Sequence, residues 1–157
     1  ISYSVTGVQT CALPILLEIR SMAWQCIAAG ANGLIFYSWF DLHKMNAVDP
    51  FEQRWGEVKT MAAEIDSLIP VILSVEPVPT VAAEAPEGVA WRLARLENEV
   101  YLIAVNSAEE PATATFRFPS AYAKLSHALG EGGARLDGTA LELSFGPLEP
   151  KVIRLGE

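Results

Sequence analysis

Apolar residues in the first part of the chain recur at intervals of three and four, the spacing of one helical face. Between positions 16 and 29 they are Ile19, Met22, Ala23, Cys26 and Ile27. Gly30 and Gly33 follow, and they supply the backbone freedom with which a helix ends and a turn begins. The pattern predicts a helix with one buried stripe, in which Cys26 is a small buried apolar residue.

A nearly continuous apolar run occupies residues 34–40. Such a run is typical of a parallel strand that is covered on both faces. Residues 41–48 are predicted to form a polar loop. Asp49 and Pro50 then predict a helix start, with Asp49 as the N-cap and Pro50 as the first helical residue. In α/β folds, function lies in the loop that leaves the carboxyl end of a strand, so this pattern places it after residue 40.

The second predicted helix carries its own apolar stripe and ends at Pro70, which cannot continue a helix. The stripe consists of Phe51, Trp55, Val58, Ala62, Ile65 and Ile69. Helix, buried strand, loop and helix follow one another, which is the order of an α/β fold. We therefore expect residues 16–74 to fold as an α-β-α unit.

The composition changes after residue 74. Residues 75–88 are rich in Pro, Ala and Glu, sustain neither helical nor strand periodicity, and are predicted to be a linker. Short alternating runs follow and predict the strands of an antiparallel β-sandwich within residues 89–157, which could fold alone. The runs are 89–96, 99–106, 112–118, 124–129, 134–136, 140–145 and 151–155. Hairpin turns are expected at Glu97-Asn98 and at Asp137-Gly138.

Composition and charge exclude several classes of protein. The chain of 157 residues is 51% hydrophobic, which is enough for a packed core and incompatible with general disorder. Its 11 basic and 19 acidic residues give a net charge of -8, which disfavours binding to nucleic acid and to anionic membrane surfaces. Charged residues interrupt every apolar run before it reaches the roughly 18 residues of a membrane span. The two cysteines make no disulfide framework, no Cys/His cluster has zinc-ligand spacing, and no cofactor is indicated.

Residues 5–15, with the sequence VTGVQTCALPI, read as the conceptual translation of a common short-read sequencing adapter. We expect residues 1–15 to be an artefact of that origin that belongs to no domain. The natural sequence would then begin near Leu16, with its own N-terminus lost. The alternative is a genuine strand, rich in Thr and Val, that ends at Pro14.

The segment GANGLIFYSW, residues 30–39, together with the helices around it and the sandwich after it, resembles the C-terminal end of clan A glycoside hydrolases of the β-galactosidase type. The resemblance implies that residues 16–74 are the seventh helix, eighth strand and eighth helix of a (β/α)8 barrel. The rest corresponds to an accessory sandwich. The expected fold class is thus α/β plus all-β, with the last α-β-α elements of an incomplete TIM barrel followed by an antiparallel β-sandwich. A complete barrel needs roughly 250 residues, so the chain would be a fragment.

The resemblance also implies a carbohydrate-binding residue. In this family an aromatic residue at the end of the eighth strand forms a wall of the sugar subsite, and Trp39 matches it. An indole suits that role because the C–H face of a pyranose packs on it, although a Trp in a strand can equally belong to a core. Tyr37 shares its side of the strand and either joins the subsite or fills the barrel. Asp41 either orients a sugar hydroxyl or caps the loop, and His43 is expected to be solvated.

The reaction that the resemblance implies is retaining hydrolysis of O-glycosidic bonds by two carboxylates. In this family both are Glu residues on the fourth and seventh strands, which lie outside this sequence, so no catalytic residue is assigned in the chain. Its partner would be the carbohydrate substrate of the parent protein. The alternative is a non-catalytic β-sandwich that binds carbohydrate or another protein. Against it, Trp91, Tyr101 and Tyr122 lie in different elements and form no planar aromatic strip. The sequence indicates neither an oligomeric state nor a compartment.

Overall fold

Three layers make up the protein in a computed structural model that describes residues 16–37 and 50–156. One layer is helical, with α1 at Leu16–Ala28, α2 at Phe51–Ser67 and α3 at Ile69–Ile72. Two antiparallel sheets form the other layers. Their strands are β1 (Ala82–Glu84), β2 (Val89–Leu96), β3 (Glu99–Asn106), β4 (Ala112–Arg117), β5 (Lys124–Leu129), β6 (Ala134–Asp137), β7 (Ala140–Phe145) and β8 (Pro150–Gly156).

The two sheets each contain four strands and form the predicted β-sandwich. The first sheet has the order β1-β4-β7-β6 and the second the order β2-β3-β8-β5. Neighbouring strands are antiparallel throughout. All seven strands predicted from the alternating runs are present. An eighth, β1, lies within the segment 75–88 that was expected to be a linker, where it pairs with β4.

The two predicted hairpin turns can be compared with the observed strand pairing. Leu96 pairs with Glu99 around Glu97-Asn98, which confirms the first prediction. In the second hairpin Asp137 pairs with Ala140, so the turn residues are Gly138 and Thr139, one position later than predicted. The reason is that Gly138 has a φ of 61°, a left-handed conformation that glycine adopts without steric cost, while Asp137 stays in the strand.

The space between the sheets holds a core of alternating side chains. Strand β4 shows the pattern, since Ala114 and Phe116 are buried while Thr113 and Arg117 are exposed. Trp91 of β2 meets the Phe116 ring edge to face, with 5.3 Å between the ring centroids. The buried members are Val89, Val100, Leu102, Ala104, Ala114, Phe116, Phe118, Leu141, Leu143, Phe145, Ile153 and Leu155.

A second apolar core lies on the outer face of the second sheet. There α1 packs against β2, β3 and β8, while α3 packs against β2. Its buried members are Trp24, Ile27, Ala28, Leu68, Val71, Ile72, Ala94, Tyr101, Ile103, Val105 and Val152. The second sheet is therefore covered on both faces, and the helices and the sandwich share one continuous packing arrangement.

The buried face of α1 differs from the predicted stripe. Cys26 is exposed rather than buried, and Met22 retains 49% of its exposure. The buried residues include Ser21 and Trp24, at 1% exposure each. The helix is turned by about one residue because the outer face of the sheet accommodates the large indole of Trp24. Helix α1 also contacts α2, and there Arg20 Nε donates to Glu64 Oε2 at 2.7 Å.

Residues 34–37 do not form the predicted buried strand. Ile35 is 97% exposed and Tyr37 is 94% exposed, and no part of 34–37 is in a sheet. The prediction is wrong for these residues because no described strand lies beside them to exchange hydrogen bonds and cover their side chains. Residues 38–40 and Asp49, the predicted N-cap, lie outside the described part of the chain. Helix α2 begins at Phe51 after Pro50 and ends three residues before Pro70.

Candidate functional site

The sequence-predicted sugar-binding residues are only partly described. Trp39, Asp41 and His43 lie outside the described residues. Tyr37 is almost fully exposed, and its ring does not line the depression described next. Of the three residues predicted to bind sugar, Trp39, Tyr37 and Asp41, the structure describes Tyr37 alone.

A concave site of about 230 Å³ opens at one end of the sandwich. It lies between the segment that leads into β1, the β2–β3 hairpin and the residues before β5. Its lining residues are Pro77, Val78, Pro79, Arg95, Asn98, Val100, Ser120 and Tyr122. We call it the Arg95 depression. None of the lining side chains is a carboxylate, a histidine or a cysteine, so the site has groups that bind and lacks those that most often transfer protons.

Strand alternation places Arg95 in this depression. Trp91 and Leu93 of β2 pack on the core between the sheets, and Arg95 continues the same inward-facing row. The opposite row faces the helices. There Arg92 donates from Nη2 to the carbonyl oxygen of Ile72 at 3.1 Å, and burial lowers the pKa of its guanidinium. The inward row therefore ends in a cation at the edge of the apolar core.

Tyr122 forms the aromatic wall of the Arg95 depression. Its ring meets Phe118 at right angles with the centroids 5.2 Å apart, so a core residue fixes its orientation. Ser120 and Asn98 are exposed at the rim and add a hydroxyl and an amide. The site thus combines a cation, an aromatic surface and two neutral hydrogen-bonding groups.

The guanidinium of Arg95 has no hydrogen bond or ion pair with any of the residues that the structure describes. Its backbone carbonyl is occupied, since it accepts a hydrogen bond from the Ser74 hydroxyl. A neighbouring carboxylate, that of Glu76, accepts from the backbone N–H of Glu97 at 3.1 Å. The Glu76 carboxylate thus contacts the backbone of the hairpin, and no ion pair joins it to Arg95.

The other end of the sandwich is built differently, although polar residues also end its inward rows. Lys151 is 3% exposed, and its ammonium lies 2.9 Å from the Gly132 carbonyl oxygen and 3.4 Å from Glu149 Oε2. Asn106 is fully buried. It donates to the carbonyl oxygens of Glu110 and Gly146 and accepts from the N–H of Ala108. At this end the loops satisfy every polar group of both side chains.

On the helix side of the second sheet, Tyr101 joins a small polar network. Its hydroxyl donates to Glu99 Oε2 at 3.2 Å, and Glu99 Oε1 pairs with Arg154 Nε at 3.3 Å. Burial, with the neighbouring Glu99 charge, raises the pKa of the Tyr101 phenol. This ring is covered by α1, so it stabilises the layer rather than contacting a ligand.

Two features are absent from the described ranges, a cluster of metal-ligating side chains and a membrane-spanning helix. Residues 16–37 and 50–156 contain no group of three or more His, Cys, Asp or Glu side chains that could hold a metal ion. Among the helices of those ranges, none is long and apolar enough to cross a bilayer.

Sequence reasoning missed Arg95, Asn98 and Ser120. A signal existed for Arg95, because it follows Trp91 and Leu93 at the period of a strand face. It was ambiguous, since Arg92 occupies the opposite face and both faces of β2 carry apolar residues. The three aromatic residues considered for a strip are separated: Trp91 lies inside the sandwich, Tyr101 under the helices and Tyr122 at the open end.

Comparison with known proteins gives little. No family model matches the chain. No curated protein matches it either. Among solved structures it is similar to the crystal structure of apo exo-carrageenase GH42 from Bacteroides ovatus, with 14% sequence identity and a TM-score of 0.38. The match covers 69% of this chain and 14% of that one, so the chain spans a small part of the other protein's length. A similarity of this size shows neither a shared family nor a shared fold.

Proposed function

We propose that this chain is the C-terminal part of a retaining glycoside hydrolase of clan A, acting on O-glycosidic bonds. In this proposal residues 16–74 are the last α-β-α elements of a (β/α)8 barrel and the sandwich is an accessory domain. Residues 1–15 are an adapter-derived artefact. The catalytic carboxylates belong to the parent protein, so the chain alone is inactive.

The observation that supports the proposal is the exposed apolar segment between α1 and α2. Ile35 is 97% exposed and Tyr37 94% exposed, and Phe36 between them is about half exposed. Apolar side chains exposed together in this way mark a surface that another element covers. A barrel strand is covered by neighbouring strands on both sides and by side chains on both faces, which is the environment that this segment lacks.

In the proposed barrel, the sequence position of Trp39 determines its role. It comes two residues after Tyr37, at the end of the segment that would be the eighth strand, where the sugar subsite of a barrel hydrolase opens. Its indole would form a wall on which a pyranose face packs. Tyr37 and Asp41 would lie beside it. The reaction itself needs a proton donor and a nucleophile roughly 5 Å apart, which this proposal assigns to upstream strands.

The proposal is tested by recovering the genomic sequence upstream of the codon for Leu16. We expect an open reading frame several hundred residues longer, with Glu residues at two strand ends. The long protein should hydrolyse at least one of a panel of nitrophenyl glycosides, and the 157-residue chain none. A reading frame that begins near Leu16 would instead favour the non-catalytic module.

A variant of the long protein tests the role of Trp39. Trp39→Ala should lower kcat/KM by roughly tenfold or more, because a sugar-stacking surface contributes on the order of 1 kcal/mol or more. Trp55→Phe is the matched control, since that indole stacks on Phe51 within α2. Equal loss of activity in both variants would assign Trp39 a packing role.

A further inference from the structure

We propose that the Arg95 depression binds a single acidic sugar residue, a pyranose that carries a carboxylate. This site lies on the sandwich and does not depend on the proposed barrel subsite at Trp39. It would let the sandwich hold a charged saccharide whether or not the parent protein is a hydrolase.

The size of the depression favours one ring over a chain of rings. Its volume of about 230 Å³ is below the roughly 300–1,000 Å³ of sites that enclose drug-sized ligands. Pro77 and Pro79 form part of one wall, and proline has a fixed φ, so this wall loses little conformational entropy when a ligand binds. The shape is therefore suited to a monosaccharide or to the terminal residue of a longer chain.

The charge at Arg95 selects an anion. A guanidinium presents parallel N–H groups that match the two oxygens of a carboxylate. The rest of the molecule is acidic, with a net charge of -8, and repels anions in general. The attraction must therefore be local, and Arg95 supplies it because no described residue forms an ion pair with its side chain.

The neutral groups around Arg95 select a sugar over a simple carboxylate. The Tyr122 ring offers an aromatic surface for the C–H face of a pyranose, and Phe118 holds it in place. The Asn98 amide both donates and accepts, as does the Ser120 hydroxyl, which suits the ring hydroxyls of a sugar. The same four side chains thus recognise charge, ring and hydroxyl groups.

The contrast between the two ends of the sandwich supports a binding role. Where Lys151 and Asn106 end the inward rows, surrounding carbonyls and one carboxylate satisfy them completely. Arg95 ends an inward row in the same sheet but faces an open depression. Buried Lys151 must find its partners within the protein, whereas the half-buried Arg95 guanidinium has none among the described residues and remains accessible to a ligand.

A different role for Arg95 makes a distinct prediction. Strand β2 lies at the edge of its sheet, and an inward-pointing charge on an edge strand can prevent that strand from pairing with a strand of another molecule. This could be the whole role of Arg95. In that case Arg95→Met would cause self-association, and no sugar would bind to the original protein.

The test is an NMR titration of the full 157-residue chain with three probes: methyl galacturonide, methyl galactoside and acetate. The galacturonide should shift the amide signals of Asn98 and Tyr122 and the side-chain N–H of Arg95. We expect it to bind at least tenfold more tightly than either other probe, a factor that corresponds to about 1.4 kcal/mol. Arg95→Met should abolish that preference, and Asn98→Ala should weaken galacturonide binding without changing acetate binding.

Arg135→Met is the matched control, because Arg135 is exposed on β6 in the other sheet and does not line the depression. It should bind like the original chain. If acetate bound as tightly as the galacturonide, the site would recognise a carboxylate and not a sugar. If the neutral galactoside bound as tightly, Arg95 would have no role in recognition. No localised shift at roughly 10 mM probe, about ten times the Kd of a 1 mM complex, would overturn the proposal.

Discussion

The ammonium nitrogen of Lys151 lies 2.9 Å from the carbonyl oxygen of Gly132, so strand β8 is tied to the loop between β5 and β6. Because Lys151 is almost fully buried, its charge depends on this carbonyl, on that of Glu131 and on the Glu149 carboxylate. Breaking such a buried arrangement leaves polar groups without partners. The contact thus links the two sheets, since β5 belongs to one and β6 to the other.

Replacing Lys151 should destabilise the protein strongly. We expect Lys151→Met to lower the free energy of unfolding by about 3 kcal/mol, since it leaves the Glu149 carboxylate and two carbonyls without their cation. Urea unfolding followed by tryptophan fluorescence measures the change. Lys59→Met, at an exposed position of α2, should change it by less than about 0.5 kcal/mol. Similar values for both variants would show that the Lys151 contacts contribute little.

Two neighbouring glycines allow backbone strain to be separated from steric contact. Gly132 and Gly133 both have left-handed φ values, 61° and 69°. A Cβ at Gly133 would lie 2.6 Å from the Ser144 carbonyl oxygen, whereas one at Gly132 meets nothing within 4 Å. Both alanine variants should lose roughly 1 kcal/mol to backbone strain. Gly133→Ala should lose at least about 1 kcal/mol more, as overpacked sites do. Equal midpoints of thermal unfolding would contradict the close approach.

The stability of the protein should depend on Tyr101 at alkaline pH. Its phenol has a pKa raised above the ordinary value of 10.0 because burial and the Glu99 charge favour the neutral form. The associated stability is present below pH 10 and is lost as the pH rises through the folded-state pKa. Tyr101→Phe should therefore be less stable than the original chain at neutral pH, by about 1 kcal/mol, with the difference shrinking at alkaline pH.

Tyr37→Phe is the control for that measurement, because the Tyr37 ring is almost fully exposed. Its stability should follow that of the original chain at every pH in denaturant titrations. If the Tyr101→Phe difference stayed constant across the alkaline range, the phenol would not be the titrating group.

The sandwich should not be soluble without the helices. A chain of residues 75–157 would expose the outer face of the second sheet, where Ile103 and Val152 are at most 1% exposed in the protein. We expect it to aggregate or to bind a hydrophobic dye, while residues 16–157 remain soluble. Ile103→Thr with Val152→Thr in the short chain should partly restore solubility, because threonine keeps strand propensity and reduces apolar area. A soluble, dye-negative short chain would show that the helical layer is dispensable.

The alternating runs after residue 88 predicted the strands well because side-chain period and burial coincide on an antiparallel sheet with one solvated face. The first sheet shows this most clearly, as in β4 and β7. The second sheet is harder to interpret, since β3 is buried on both faces and its two apolar rows cannot be distinguished by pattern alone. For that reason the packing of the helices on this sheet was not predicted.

Two errors in the helical region have different physical origins. Periodicity shows that a helix has an apolar face but treats large and small apolar residues alike. The predicted stripe therefore does not include Trp24, although its indole is buried. Residues 34–37 have the composition of a buried strand, yet a strand forms only where neighbours exchange hydrogen bonds with it. The Arg95 depression forms where three separate segments of the chain come together, and a local sequence pattern does not predict such a meeting.

The second sheet is covered on both faces, and this limits how the sandwich could be exchanged between larger proteins. A recombination junction at residues 75–88 would transfer the sandwich without its helices and leave the outer face of the second sheet exposed. The recipient protein would then need a complementary apolar surface to cover that face. A junction before α1 would transfer the helices together with the sandwich. Gene fusions that reuse this architecture should therefore inherit the helices and the sandwich as one unit.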